Sequence, residues 1–266
     1  MSRPAPVVLL PHSKGQTTGG DGPPWSAGTG VLPDLDAARA TVLGATVRAM
    51  GPPRVKGPGP ALGRLLGAQG PTLVAAVEAN RALLTAPTRP AIERYSGVLY
   101  DELCYSSLRA RDRRRVDDRI LILNALLGVA APRDPLPEHR LELSASLPRL
   151  GRLGTWWRPR LTAALAPRLA GAVVWDLLPN EHGAAWDPGA VAVARRFTVR
   201  FVDEQGRTVS HWNKLLKGAL VRFLAESGAD DPAALAPFRH PTGYRFDAGS
   251  SDLGGVHAEM VFRKRP

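Results

Sequence analysis

The chain has 266 residues and a formal net charge of +11, and its hydrophobic content of 44% is that of an ordinary globular protein. No run of about 18 apolar residues occurs, which excludes a transmembrane helix, and the apolar N-terminal segment is too short for a signal peptide. The positive charge indicates either a polyanionic partner, such as nucleic acid or a nucleotide, or a surface of solvated arginines.

The single cysteine, Cys104, cannot form an internal disulfide. We therefore expect a protein of the reducing cytoplasm. Because Cys104 has no resolving partner, a two-cysteine peroxidase mechanism is excluded. Its apolar helical surroundings predict a core residue rather than a reactive thiol.

Three short apolar runs predict buried strands, at residues 6–10, 120–123 and 172–177. Ligands of sheets covered by helices often bind where several strands end, so the loops that follow these runs are best considered together. The sequence does not show which strands are neighbours. The polar residues of these loops are Ser13 and Lys14, then Asn124, then Asn180, Glu181 and His182.

The first half of the chain predicts a long loop followed by helices. Glycine, proline and threonine are frequent in residues 15–33, whereas the pattern from about 34 to 119 is helical with Pro-Gly interruptions. Residues 88–103 follow the helical period throughout. Residues 108–119 predict a helix crowded with arginines, whose face is either solvated or in contact with phosphate.

The proline-rich stretch at residues 132–142 excludes a helix. There, Asp134 lies between Arg133 and Arg140 in the sequence, which predicts ion pairs that fix the loop.

The second half predicts helices at residues 155–169 and 213–225 and a hairpin whose turn is residues 203–206. Residues 244–263 predict two more strands. No repeat or linker is present, so we expect one compact domain over residues 1–266.

The basic residues comprise thirty arginines and five lysines. In a chain that so favours arginine, a lysine indicates a need for a compact, flexible ammonium group. Lys214 and Lys217 begin the last predicted helix beside Asn213, and Lys14 follows the first strand. Ammonium groups at a helix N-terminus suit phosphate. The pattern indicates an anion-binding site assembled from distant segments, with chance clustering as the alternative.

Five short blocks occur in a recognisable order, at residues 11–15, 94–100, 123–134, 139–142 and 210–218. They include Pro-His-Ser-Lys-Gly in the first, Arg-Tyr-Ser-Gly in the second and His-Arg-Leu-Glu in the fourth. With Gly243 and Tyr244 near the end, these blocks make the chain resemble the YaaA family, bacterial cytoplasmic proteins linked to peroxide resistance.

The resemblance implies a mixed α/β fold with a central mixed sheet surrounded by helices, a helix-hairpin-helix-like element and a basic cleft. It also implies binding of double-stranded DNA and a link to limiting free iron and oxidative DNA damage. The resemblance assigns seven residues to the anion- or nucleic-acid-binding site: Ser13, Lys14, Tyr95, Arg140, Lys214, Lys217 and Gly218. Asn213, at the start of the last predicted helix, is added to them as a candidate.

The chain departs from the family pattern at three histidines. Relatives usually carry Pro at the position of His12, Tyr at that of His139, and a block ending in Tyr where this chain has His182. If these histidines converge, they could act as general acids or bases, because imidazole titrates near neutral pH. The candidates for catalysis are Lys14, His139, Glu181, His182 and Lys214.

No histidine pair has the spacing of a helical metal site, so we expect no metal and no cofactor. The leading hypothesis is a cytoplasmic peroxide-stress protein that binds DNA through a basic cleft and is not an enzyme, with Trp212 as a candidate for base stacking. The alternative is a divergent enzyme that acts on a nucleotide or similar anion in a biosynthetic pathway. A third hypothesis, an iron-handling protein, predicts bound metal on purification.

Overall fold

A seven-stranded mixed sheet forms the centre of the computed structural model, which describes residues 4–53, 55–209 and 212–265. The five inner strands run parallel to one another, and each edge strand is antiparallel to its neighbour. This confirms the predicted fold class. In spatial order the strands are β12 (Tyr244–Phe246), β13 (His257–Lys264), β11 (Arg195–Val202), β10 (Val173–Asp176), β1 (Val7–Pro11), β5 (Ile120–Asn124) and β6 (Gly128–Ala130).

The three apolar runs of the sequence are the adjacent central strands β10, β1 and β5. All residues of β5 and β10 are buried, as expected for parallel strands covered on both faces. Val7 pairs with Val174 and Val8 with Ile120, so the three strands end at the same edge of the sheet. Their adjacency is the information that the sequence lacked.

Helices surround the sheet, and α9 (Asn213–Ser227) packs against α5 (Val98–Leu103) and α6 (Ala110–Arg119). Among the residues described, no helix is both long and apolar enough to cross a membrane. The helices are α1 (Asp36–Met50), α2 (Pro60–Leu66), α3 (Gly70–Arg81), α4 (Ala91–Arg94), α5 (Val98–Leu103), α6 (Ala110–Arg119), α7 (Leu153–Leu169), α8 (Asn180–Gly183) and α9 (Asn213–Ser227). Small ribbons pair β2 (Gly15–Gln16) with β4 (Tyr95–Ser96), β3 (Thr88–Pro90) with β7 (Pro135–Pro137), and β8 (Ser146–Leu147) with β9 (Gly151–Arg152).

The continuous helix predicted for residues 88–103 is wrong. The chain becomes extended at Tyr95 and Ser96, where β4 pairs with β2, and only the short helices α4 and α5 remain. Gly97 has φ of 100°, in a region that favours glycine, and this residue redirects the chain into α5. Periodicity alone cannot detect pairing with a segment some eighty residues away.

Two expectations about single residues are also wrong. Asp134 forms no ion pair with its arginine neighbours, because its carboxylate accepts the backbone N–H groups of Val31 and Ala131. Arg133 pairs with Glu93 instead. Cys104 is exposed rather than in the core, because α5 ends one residue before it.

The predicted hairpin is reduced to a turn with one antiparallel bridge, between Val202 and Thr208. Strand β11 makes its long pairings with β10 and β13 instead, both parallel. The remainder of the predicted return strand includes Ser210 and His211, which lie outside the described residues. The helices predicted at 155–169 and 213–225 and the two final strands are confirmed.

Candidate functional site

The loops that follow β1 and β10 meet at the carboxyl edge of the sheet. His12 follows β1, and its backbone N–H donates to the Leu123 carbonyl of β5. His182, on α8 beyond β10, places its Nε2 2.9 Å from His12 Nδ1. The sequence-based decision to consider these loops together is thus supported by a direct side-chain contact. Asn124, which ends β5, instead closes its own turn by accepting the Leu127 N–H.

Two further rings complete what we call the histidine cluster: His12, Tyr95, His139 and His182. The Tyr95 ring centroid lies 6.2 Å from that of His12 and 6.2 Å from that of His139. His139 Nδ1 is 2.9 Å from the Pro137 carbonyl oxygen, which fixes the ring. The three histidines that depart from the family pattern therefore converge.

Burial keeps these imidazoles uncharged. Loss of solvation lowers the pKa of His139 to about 3 and that of His182 to about 2, and it also lowers the pKa of His12. The near-neutral titration on which the sequence argument relied is therefore wrong for this cluster. At pH 7 the rings can donate and accept hydrogen bonds, but they are not poised to exchange protons with water.

The cluster contains buried polar atoms with no hydrogen-bond partner among the described residues: Tyr95 Oη, His139 Nε2 and His182 Nδ1. A buried polar atom left unpaired costs on the order of 1–3 kcal/mol. Three such atoms within one cluster of rings indicate a place where a polar ligand or ordered water would supply the missing partners.

The lysines of α9 differ from each other in their surroundings. Lys214 is exposed, whereas Lys217 is buried, and its Nζ donates to the Leu177 carbonyl at 2.7 Å. Burial lowers the pKa of Lys217 to about 8, although the nearby Asp176 carboxylate acts in the opposite direction. One turn of helix thus separates a solvated ammonium group from a desolvated one.

The three lysines predicted from the sequence act electrostatically on the His12–His182 pair. After burial, His12, Lys217 and Lys214 help to lower the pKa of His182; Lys14 helps to lower that of His12, against the opposing carboxylates of Glu142 and Glu181. Lys14 is largely exposed and forms an ion pair with Glu142 at 3.5 Å. The structure therefore brings together cationic groups from segments that are some two hundred residues apart.

The other predicted residues of these segments have local roles. Ser13 Oγ accepts the Gly15 N–H, and Glu181 is exposed on α8. Asn213 begins α9, and its Oδ1 is buried without a partner among the described residues. Gly218 serves packing, because a Cβ there would lie 2.3 Å from the Leu99 carbonyl oxygen of α5.

Arg140 is directed elsewhere. Its guanidinium donates to the carbonyl oxygens of Leu66 and Gly67 at the end of α2, and its backbone is held by the Asn80 side chain. The guanidinium thus supports the turn between α2 and α3.

Sequence reasoning missed two contributors to the site. Tyr100 packs 5.4 Å from Tyr95, and its hydroxyl donates to the Pro11 carbonyl. Asp176 forms its ion pair with Arg196, at 2.6 Å, and acts on Lys217 only as a nearby charge. A buried aspartate at the end of an apolar run was the available signal for the second. Across the described part of the chain, no group of three or more His, Cys, Asp or Glu side chains is arranged to hold a metal ion.

Comparison with known proteins identifies the family. The model of the peroxide stress protein YaaA family matches residues 59–250. The chain belongs to the YaaA family. This confirms the resemblance drawn from the five sequence blocks, and the match spans the segments that carry Tyr95, His139, His182 and both lysines of α9.

Relatives named as UPF0246 proteins match two thirds or more of the chain. One from Streptomyces coelicolor is 37% identical over 252 residues, which cover 94% of this chain and 95% of that protein. One from Corynebacterium glutamicum is 36% identical over 227 residues, covering 83% and 85%. Another, from Methylibium petroleiphilum, is 35% identical over 189 residues, covering 68% and 71%.

Proposed function

We propose that this YaaA-family protein acts in the peroxide-stress response by binding the phosphate backbone of double-stranded DNA. The proposed contact surface is formed by Lys14, Lys214 and the first turn of α9. One observation carries it: two exposed lysines from distant segments act electrostatically on the hydrogen-bonded pair of histidines, Lys14 on His12 and Lys214 on His182, and Lys214 lies in the first turn of a fifteen-residue helix.

Physical chemistry supports phosphate as the ligand of this surface. The first N–H groups of α9 have no partners within the helix, and the helix dipole favours an anion there. The ion pair between Lys14 and Glu142 is largely exposed on the lysine side, so it contributes little and a phosphate can replace it. The net charge of +11 adds a long-range attraction to any polyanion.

Salt dependence of duplex binding tests this proposal. Fluorescence anisotropy with a labelled duplex between 50 and 200 mM salt should give a steep fall of affinity with salt, because bound lysines release counterions. The double variant Lys14→Gln, Lys214→Gln should reduce the log–log slope by about 2, at about 0.9 per phosphate contact.

The matched control removes the same charge elsewhere, with Lys56→Gln and Lys264→Gln. An unchanged slope in the first double variant, or equal changes in both, would contradict the proposed surface, and absence of binding at 50 mM salt would contradict DNA binding itself. Complementation of a deletion strain under peroxide challenge tests the stress role, with the two double variants compared.

A second candidate is an enzyme that acts on a nucleotide or a similar anion. The specific observation in its favour is the set of buried, unpaired atoms on Tyr95, His139 and His182 beside the lysines. Such atoms suit a small polar ligand that enters the protein better than they suit a DNA backbone, which stays at the surface.

Thermal unfolding in the presence of nucleosides and nucleotides separates these functions. If the enzyme hypothesis holds, one nucleotide class raises Tm, and His139→Tyr with His182→Tyr, which restore the residues usual in relatives, abolish the shift. No shift with any compound at millimolar concentration would remove the hypothesis. The exposed His257→Tyr is the control substitution.

A further inference from the structure

Lys217 is a buried lysine whose amine donates to a backbone carbonyl. Its side chain is 7% exposed, and Nζ has the Leu177 carbonyl oxygen as its acceptor at 2.7 Å. Among the described residues, no carboxylate lies within ion-pair distance of Nζ, since Asp176 is occupied by Arg196. A buried ammonium ion without a carboxylate partner is poorly solvated, so loss of its proton becomes easier.

The uncharged amine is therefore populated near neutral pH. With a pKa of about 8, roughly a tenth of the Lys217 side chains are neutral at pH 7, on the order of a hundredfold more than for an ordinary lysine. A neutral lysine amine attacks carbonyl carbon, and desolvation in a protein interior is an established means of activating it.

The neighbours of Lys217 suit such a reaction. His182 is uncharged, and its buried Nδ1 has no partner among the described residues, so this ring can form a hydrogen bond with a bound substrate. Lys214, one turn away on α9, is exposed and cationic, which suits a phosphate group on the same substrate. The substrate class is thus an aldehyde that carries phosphate.

We propose that Lys217 Nζ forms an imine with the open-chain aldehyde of a phosphorylated pentose. Two sources offer this group: an abasic nucleotide in duplex DNA, whose C1′ is a masked aldehyde, and a free pentose 5-phosphate. The inference rests on the proposed phosphate-binding function for the placement of the sugar phosphate. It goes beyond that function by assigning a covalent step to one named atom.

The step needs no oxidant or reductant. The Nζ lone pair attacks the aldehyde carbon, a C–N bond forms, and the carbonyl oxygen takes up a proton to give a carbinolamine. The C–O bond then breaks, the oxygen leaves as water, and Nζ loses its remaining proton as the C=N bond forms. In all, the nitrogen gives up two protons, and the departing water carries both.

Borohydride trapping tests the proposal directly. The wild-type protein is incubated at pH 7.5 with a duplex that contains one abasic site, and separately with ribose 5-phosphate, and sodium borohydride then reduces any imine to a stable secondary amine. Because the chain has only five lysines, mass-spectrometric peptide mapping can locate the adduct. We expect it on Lys217 and expect at least a tenfold lower yield in Lys217→Met, with Lys56→Met and Lys264→Met unchanged.

The outcomes are distinguishable. An adduct on Lys217 from either source supports the inference, and the source that reacts identifies the substrate. No adduct, or an adduct on another lysine, overturns it. Duplex binding is measured separately by anisotropy, so binding without an adduct overturns this inference alone, whereas an adduct with ribose 5-phosphate without duplex binding overturns only the DNA proposal. Mapping on the wild-type protein decides the matter even if Lys217→Met does not fold.

Discussion

The two ends of α9 use positive charge in opposite ways. At its C-terminal end, Arg115 of α6 donates to the Ala225 and Glu226 carbonyl oxygens and to the Asp112 carboxylate. At its N-terminal end, neither Lys214 nor Lys217 has a carboxylate within 4.0 Å among the described residues. Arginine therefore holds the helix in place, and lysine remains available to a ligand.

The difference teaches that net charge does not locate a binding site. The helix α6 holds five of the thirty arginines, yet Arg111 and Arg115, with Arg109 just before the helix, converge on a fully buried acceptor, Asp112, and Arg119 pairs with Asp230. The planar guanidinium fits carboxylates and carbonyl groups, so its donors are engaged in contacts within the protein. Cations without protein partners are better indicators of function.

The largest effect that we expect concerns the histidine cluster and pH. The pKa values of His139 and His182 in the folded protein, about 3 and about 2, are below the ordinary 6.5, so the unfolded chain binds more protons in acid. Their stabilising contribution is complete above about pH 6.5 and is lost as the pH falls toward those folded values. When the pH falls from 7 to 5, each of these two histidines should lower the free energy of unfolding by about 2 kcal/mol.

Urea unfolding at both pH values measures this loss. The double variant His139→Gln, His182→Gln should lose about 4 kcal/mol less than the wild type over the same interval. The control is His257→Gln, at an exposed position. An equal pH dependence in all three proteins would contradict the buried, uncharged state of the cluster.

The next largest effect concerns the contact that positions Lys217. Because a Cβ at Gly218 would lie 2.3 Å from the Leu99 carbonyl, Gly218→Ala must separate α9 from α5. We expect a loss of about 3 kcal/mol in the free energy of unfolding, measured in urea. In the control Gly44→Ala, in α1, the new methyl meets only the flexible end of Arg48, and the change should be favourable by up to about 1 kcal/mol.

A smaller effect tests whether Arg140 belongs with the structural arginines. Loss of its bonds to the Leu66 and Gly67 carbonyl oxygens in Arg140→Gln should cost about 2 kcal/mol of stability. The salt slope of duplex binding should stay unchanged, since the guanidinium is occupied at the end of α2. A slope that falls by about 1 without loss of stability would instead favour the phosphate contact expected from the sequence.

The smallest effect is expected on α6. The variant Arg114→Gln removes one exposed charge and should change stability by no more than about 0.5 kcal/mol. Its duplex-binding slope, measured by anisotropy, should exceed that of the double variant at Lys14 and Lys214. If the salt slope of duplex binding falls more in the α6 variant than in the variant at Lys14 and Lys214, the arginine helix is the DNA-binding surface.

Prediction from the sequence succeeded where local pattern is sufficient. The apolar runs of β1, β5 and β10 identified the central strands, and the helix predicted at residues 213–225 is α9. It failed where a residue distant in sequence determines the local structure. Tyr95 is extended because β4 pairs with β2, and the Asp134 carboxylate accepts a hydrogen bond from the Val31 N–H. Such partners leave no periodic signal.

The sequence by itself determined the family, the mixed α/β class and the residue types of the candidate site. Only the tertiary structure decided which of those residues meet and in which charge state. His12 and His182 are 170 positions apart and become hydrogen-bonded because β1 and β10 are parallel neighbours. The desolvation that accompanies this packing neutralises the histidines and lowers the pKa of Lys217. Burial depends on the packing of the whole folded chain, so no single segment of the sequence predicts it.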